Sequence, residues 1–99
     1  MKNLSSQRKA LYTQILGSVK NSPIKTIEFE GNTYHFKLDY LLPYGECHYS
    51  RVFAKLIYLK ECLGIIKPGD ILLETTSGSG GRAAAAIATA LGYQIKIAV

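Results

Sequence analysis

Thr75-Thr76-Ser77-Gly78-Ser79-Gly80-Gly81-Arg82 is the stretch of this chain with the clearest chemical potential. It lies between a short apolar run, Ile71-Leu72-Leu73-Glu74, and an alanine-rich segment that begins at Ala83. A strand–turn–helix connection leaves backbone N–H groups at the helix start without intrahelical partners, and they converge on one concavity. Such a concavity binds a carboxylate or a phosphate. Glycines at 78, 80 and 81 allow close approach to the backbone, and the hydroxyls of Thr76, Ser77 and Ser79 add short donors. A Walker loop is excluded, because it needs Gly-Lys-Ser/Thr and Gly81 is followed by Arg82 and Ala83. Gly78 to Ala83 does satisfy G-x-G-x-x-A, although the acidic ribose ligand about 20 residues on would fall at or beyond the chain end. A nucleotide-binding βαβ module and a glycine turn that only packs a helix on a sheet both remain as alternatives.

The other reactive residues form no comparable constellation. Cys47 and His48 are adjacent, and side chains one residue apart diverge, so a thiol–imidazole pair is not expected. Cys47 and Cys62 have no metal-ligand spacing; if a helix runs from Ser50 to Leu63, they stand roughly 20 Å apart and stay reduced. His35 falls in a strand pattern and reads as a surface or satisfied histidine, and the tyrosines at 12, 34, 40, 44, 58 and 93 read as half-buried packing groups. The net charge of +5 is scattered and only Arg8-Lys9 are adjacent, so neither nucleic acid nor membrane is an expected partner. Residues 1–10 are polar and no run reaches the ~18 apolar residues of a membrane span, which makes a cytoplasmic protein the expectation.

The elements that must position the loop follow from periodicity. Ser5 and Ser6 cap a first helix that runs to Val19, with Leu11, Ile15, Leu16 and Val19 on one face. Asn21-Ser22-Pro23 ends it. Ile24–Phe29 and Thr33–Leu38 flank Glu30-Gly31-Asn32 as a hairpin or strand pair, with positive φ expected at Gly31-Asn32. After the break at Pro43-Tyr44-Gly45, a second helix is expected over Ser50–Leu63, buried along Val52, Leu56, Leu59 and Leu63 and capped by Gly64. Ile71–Glu74, the loop, a helix from Ala83 to Leu91 and a strand over Tyr93–Val99 then make a βαβ unit. A chain of 99 residues buries only about 60–65 % of its unfolded surface, and this βαβ unit leaves one sheet face uncovered. The fold class expected is therefore α/β, apparently truncated at Val99, or else completed by self-association or a partner.

Several ordered motifs resemble one family. Asn21-Ser22-Pro23-Ile24 is similar to an Asn-Thr-Pro-Leu start, and Leu38-Asp39-Tyr40-Leu41-Leu42-Pro43 to Leu-Glu-Tyr-Phe-Asn-Pro. Gly64-Ile65-Ile66-Lys67-Pro68-Gly69-Asp70 is similar to Gly-Leu-Leu-Lys-Pro-Gly-Asp, and Glu74 to Gly81 to Glu-Pro-Thr-Ser-Gly-Asn-Thr-Gly. From Pro23 to Val99 the chain thus resembles the fold-type II pyridoxal-phosphate enzymes of the cysteine synthase and cystathionine β-synthase type, within the tryptophan synthase β-like superfamily.

Periodicity gives a helical segment within 1–22, and the resemblance implies, over 23–99, the N-terminal part of such an enzyme: a hairpin or strand pair and a βαβ unit packed with helices. It implies that Thr76, Ser77, Gly78, Gly80 and Gly81 hold an amino-acid carboxylate and that Ser79 stands where the family's Asn meets the cofactor, pyridoxal phosphate. The implied partners are a small amino acid or other small anion, and either a second copy or a missing C-terminal domain. The family's lysine lies in Gly-Gly-Ser-Val-Lys-Asp-Arg. Holding its arginine on Arg51 puts Tyr49 in the lysine's place, and a phenol forms no imine. Lys55 is more than one helical turn away. The expectation is a fragment inactive alone; the alternative is a β-replacing or β-eliminating enzyme, acting on O-acetylserine or serine, that further sequence completes.

Overall fold

The computed structural model describes residues 3–76 and 78–98, in the order α1 (Ser6–Val19), β1 (Ile24–Phe29), β2 (Asn32–Lys37), a 3-10 turn (Asp39–Leu41), α2 (Tyr49–Cys62), β3 (Ile71–Thr75), α3 (Ser79–Ala90) and β4 (Gln94–Ala98). α1 begins where its cap predicts: Ser5 is extended, and its hydroxyl accepts from the Arg8 amide at 3.2 Å. β3 and β4 pair in parallel, Ile71 against Gln94 through Thr75 against Ala98, with α3 as the crossover. The expected βαβ unit is present, with β4 described to Ala98; Val99 lies outside the described residues.

Three expectations are corrected. The hairpin turn is Glu30-Gly31, with φ of 51° and 76°, and Asn32 already belongs to β2. Two successive left-handed residues match the twist of the flanking strands, so the turn closes one residue early. α3 starts at Ser79 rather than Ala83, because the Arg82 amide donates to the Gly78 carbonyl at 3.3 Å and closes a first turn through the glycines. The stripe Val52, Leu56, Leu59 and Leu63 is not buried: these residues are 40–52 % exposed, while Ser50, Ala54, Ile57, Glu61 and Cys62 face inward. Several of these inward residues are small or polar and carry little hydropathic signal. The small side chains let α2 and α3 approach closely.

The core joins Tyr12, Ile15 and Val19 of α1, Ala54 and Ile57 of α2, and Ile87, Ala88 and Leu91 at the end of α3, with Tyr93 beside them. Its polar centre is Glu61, only 3 % exposed. Arg8 donates to it twice, Nε to Oε2 at 3.1 Å and Nη2 to Oε1 at 2.6 Å, and the Tyr12 and Tyr93 hydroxyls donate to Oε1 at 2.8 and 2.5 Å. Arg8 Nη1 also donates to the Leu91 carbonyl at 2.7 Å, so one guanidinium closes the C-terminus of α3. Of the six tyrosines expected to be half-buried, Tyr12 and Tyr93 are buried, Tyr44 is intermediate, and Tyr34, Tyr40 and Tyr58 are exposed.

Burial would raise the Glu61 carboxyl, but the donors from Arg8, Tyr93 and Tyr12 outweigh it and hold the group below its ordinary 4.5. Burial, then hydrogen bonding to Glu61, raises both phenols above their ordinary 10.0. The depressed carboxyl contributes stability present above its unfolded value and lost as pH falls through its folded value. The raised phenols contribute stability present below 10.0 and lost as pH climbs toward their folded values. Urea unfolding across pH should therefore show a plateau that falls below 4.5 and above 10.0.

Candidate functional site

The Thr76 amide donates to the Ala98 carbonyl at 3.1 Å, carrying the β3–β4 ladder to the edge of the loop. Ser77 lies outside the described residues. Gly78 then adopts φ 62° and ψ −128°, a conformation open only to glycine, and turns the chain into α3. The amides of Ser79, Gly80 and Gly81 fall in the first turn of α3, ahead of the first helical bond at Arg82, so no intrahelical carbonyl reaches them. The twelve-residue helix behind them directs its positive end at the same place.

The glycines serve packing as well as exposure. A Cβ on Gly80 would stand 2.5 Å from Thr76 Oγ1, and one on Gly81 would meet Thr76 Cγ2 at 3.3 Å and Ile97 Cγ2 at 3.4 Å. Thr76 therefore sits against the first turn of α3, and the helix lies close on its own sheet because Gly81 has no side chain. The packing role weighed from sequence is present alongside the open amides.

A second segment, the one in which the motif alignment sets Tyr49 at the lysine position, closes on this turn. Gly45, with φ 109°, passes so near α3 that a Cβ there would lie 2.7 Å from the Ala83 Cα. Cys47 Sγ is 3.6 Å from the Ser79 carbonyl. Residues 45–47 thereby bring the start of α2 beside the start of α3. Tyr49 opens α2, 40 % exposed, its ring 4.3 Å from that of His48. The sequence marked this segment by the break at Gly45 and by the alignment of Tyr49, and gave no sign of its contact with α3.

Other singled-out residues lie apart. Lys55 opens onto a groove beside α1 with Leu16, Gly17, Lys20 and Arg51. Arg51 donates from Nε to the Val19 carbonyl at 2.7 Å, and its Nη2 is 3.9 Å from Asp39 Oδ1. His35 is exposed on β2, its Nδ1 3.0 Å from Thr26 Oγ1. An apolar groove of about 260 Å³ runs between α2 and the open side of β3, lined among others by Phe53, Leu56, Ile71 and Leu73, and it holds none of the loop residues. Among the described residues both cysteines are free thiols, no group of three or more His, Cys, Asp or Glu gathers, and no helix is long and apolar enough to cross a membrane.

No protein-family model matches the chain. O-ureido-L-serine synthase of Streptomyces lavendulae is 31 % identical over 87 residues, covering 85 % of this chain and 26 % of that protein. Cysteine synthase B of Escherichia coli strain K12 is 34 % identical over 84 residues, covering 81 % of this chain and 27 % of that one. The crystal structure of a hydrogen sulfide-producing enzyme from Fusobacterium nucleatum superposes with a TM-score of 0.75 at 25 % identity, covering 98 % of this chain and 30 % of its own. The chain spans about a quarter of the length of the curated relatives it matches.

Proposed function

We propose, from the premise that this chain belongs to the cysteine synthase-like family of fold-type II pyridoxal-phosphate enzymes, that its strand–turn–helix unit holds the carboxylate of a small amino acid without a covalent cofactor bond. The observation that carries this reading is the set of first-turn amides of α3, at Ser79, Gly80 and Gly81, left without helical acceptors beside the start of α2. Carboxylate oxygens accept from such amides in the field of the helix, and the Thr76 hydroxyl borders the same turn. Ser77, assigned to the same clamp from its motif, lies outside the described residues.

Pyridoxal phosphate supplies an aldehyde that a primary amine holds as an imine. The residues present do not fit that attachment. Tyr49 brings a phenol to the place where the motif alignment expects the amine, and Lys55 opens onto the groove beside α1. Binding of the amino acid needs neither. The ammonium of the ligand stays protonated and solvated, while the chain orients the carboxylate.

The second reading, β-replacement on O-acetylserine or serine, is favoured by the two synthases among the relatives. One experiment separates the two. Pyridoxal phosphate is added to the chain, the mixture is reduced with borohydride, and the product is mapped by peptide mass. A specific stoichiometric pyridoxyl-lysine would establish covalent attachment and end the binding-only reading. The expected result is unmodified chain apart from trace, dispersed labelling of surface lysines.

A further inference from the structure

We propose that the groove between the last turn of α1 and the first two turns of α2 is a second anion site, which takes the phosphoryl group of free phosphate or of a small phosphate ester. Lys20, Arg51 and Lys55 line it together with Leu16 and Gly17, and among the described residues no acid does. Arg51 and Lys55 stand four residues apart on one face of α2, a spacing at which like charges repel. Arg51 also lies in the first turn of α2, where the helix end is itself positive. Three cations gathered in this way are relieved by a shared anion. The groove has no residue in common with the loop before α3, so the inference stands apart from the reading of that loop.

The Arg51 guanidinium is fixed in place yet short of acceptors. Its Nε donates to the Val19 carbonyl at 2.7 Å, which holds the side chain against the end of α1. Its Nη2 is buried and has no hydrogen-bond partner among the described residues, since the ion pair to Asp39 Oδ1 is loose at 3.9 Å. That oxygen already accepts from the Ser22 hydroxyl at 2.6 Å, a bond that holds the carboxyl below its ordinary 3.8, with Lys37, Arg51 and His48 adding to the effect. Gly17 supplies an independent observation. A glycine inside α1 weakens the helix, and packing does not require it, because a Cβ there would meet no heavy atom within 4 Å. Its bare backbone leaves the groove wall open. At about 240 Å³ the groove is smaller than the roughly 300–1,000 Å³ of pockets for drug-sized molecules, so its occupant is small. A carboxylate would offset one of the three charges, whereas a phosphoryl dianion offsets two and presents three acceptor oxygens. Half-buried Leu16 offers the organic part of an ester an apolar wall.

Amide-resolved titration of the full chain with inorganic phosphate and, separately, with phenyl phosphate tests this, against sodium chloride at matched ionic strength. Both phosphates should shift the amides of Leu16, Gly17, Lys20, Arg51 and Lys55 in a saturable way, with a Kd on the order of 1 mM, and chloride should not. Tighter binding of phenyl phosphate assigns the site to an ester, and equal constants assign it to free phosphate. Lys20→Gln/Lys55→Gln should weaken binding about tenfold or more. Lys9→Gln/Lys96→Gln, which removes the same charge from exposed positions outside the groove, should leave the constant unchanged. Gly17→Glu, which adds a carboxylate to the groove wall where a side chain meets no neighbour, should abolish binding. No saturable shift in the groove, the same shifts with chloride, equal weakening by the two double variants, or binding that survives Gly17→Glu overturns the inference. Shifts at Gly78 to Gly81 report the loop separately, so the two sites hold or fail independently.

Discussion

Replacing Glu61 by alanine is expected to remove about 3–5 kcal/mol of stability, enough to leave a chain of this size largely unfolded at room temperature. The loss comes from what the carboxylate leaves behind. Arg8 would keep a partly buried guanidinium without its two acceptor oxygens, and the Tyr12 and Tyr93 hydroxyls would lose their shared acceptor. An uncompensated buried charge and two orphaned donors cost far more than the ion pair itself contributes. Arg8→Leu combined with Glu61→Met, which removes both charges and fills the gap, should be milder, although it gives up the cap on Leu91. Urea midpoints of the two variants check the order. Equal losses would mean that the buried charge is not the source.

Gly45→Ala should destabilise the chain by about 2–4 kcal/mol and loosen the approach of α2 to α3. Two terms add. The residue holds φ 109°, where a Cβ is strained, and that Cβ would stand 2.7 Å from the Ala83 Cα and 2.9 Å from its nitrogen. Because both contacts are to backbone, removing the Ala83 methyl relieves only the third, at 3.0 Å. Ala83→Gly in the same chain should therefore fail to restore stability. Full recovery in the double variant would show that the methyl, and not the close approach of two backbones, was the obstacle.

These two positions mark where sequence stops being informative. The Ser5 cap, the strand–loop–helix–strand order and the parallel crossover were legible because each depends on residues close together in the chain. The motif resemblance was legible for another reason, since several short patterns occur in order, and the relatives bear it out. Glu61 gave no signal, because Arg8 lies 53 residues away and a lone glutamate in a helix reads as solvated surface. α2 misled by carrying apolar residues on two sides: the periodic stripe from Val52 to Leu63 stays exposed, and the inward side is built from residues such as Ser50, Ala54 and Glu61. The glycines of the loop lowered the helix propensity of 79–82, and yet those residues are helical, with Gly80 leaving no room for a Cβ beside Thr76 and Gly81 lying close on Thr76 and Ile97. Within the candidate site, the sequence singled out the loop and the segment around Tyr49, but not the contacts of Gly45 and Cys47 with Ala83 and Ser79, which join segments more than thirty residues apart.

Binding of a carboxylate at the first turn of α3 is tested most directly by an amide-resolved titration of the chain with L-serine and, in parallel, with ethanolamine, which keeps the amine and hydroxyl and lacks the carboxylate. Serine should shift the amides of Thr76, Gly78, Ser79, Gly80 and Gly81 in a saturable way while ethanolamine leaves them in place. No shift across the turn, or the same shifts with both compounds, would contradict the claim and leave the glycines with their packing role alone.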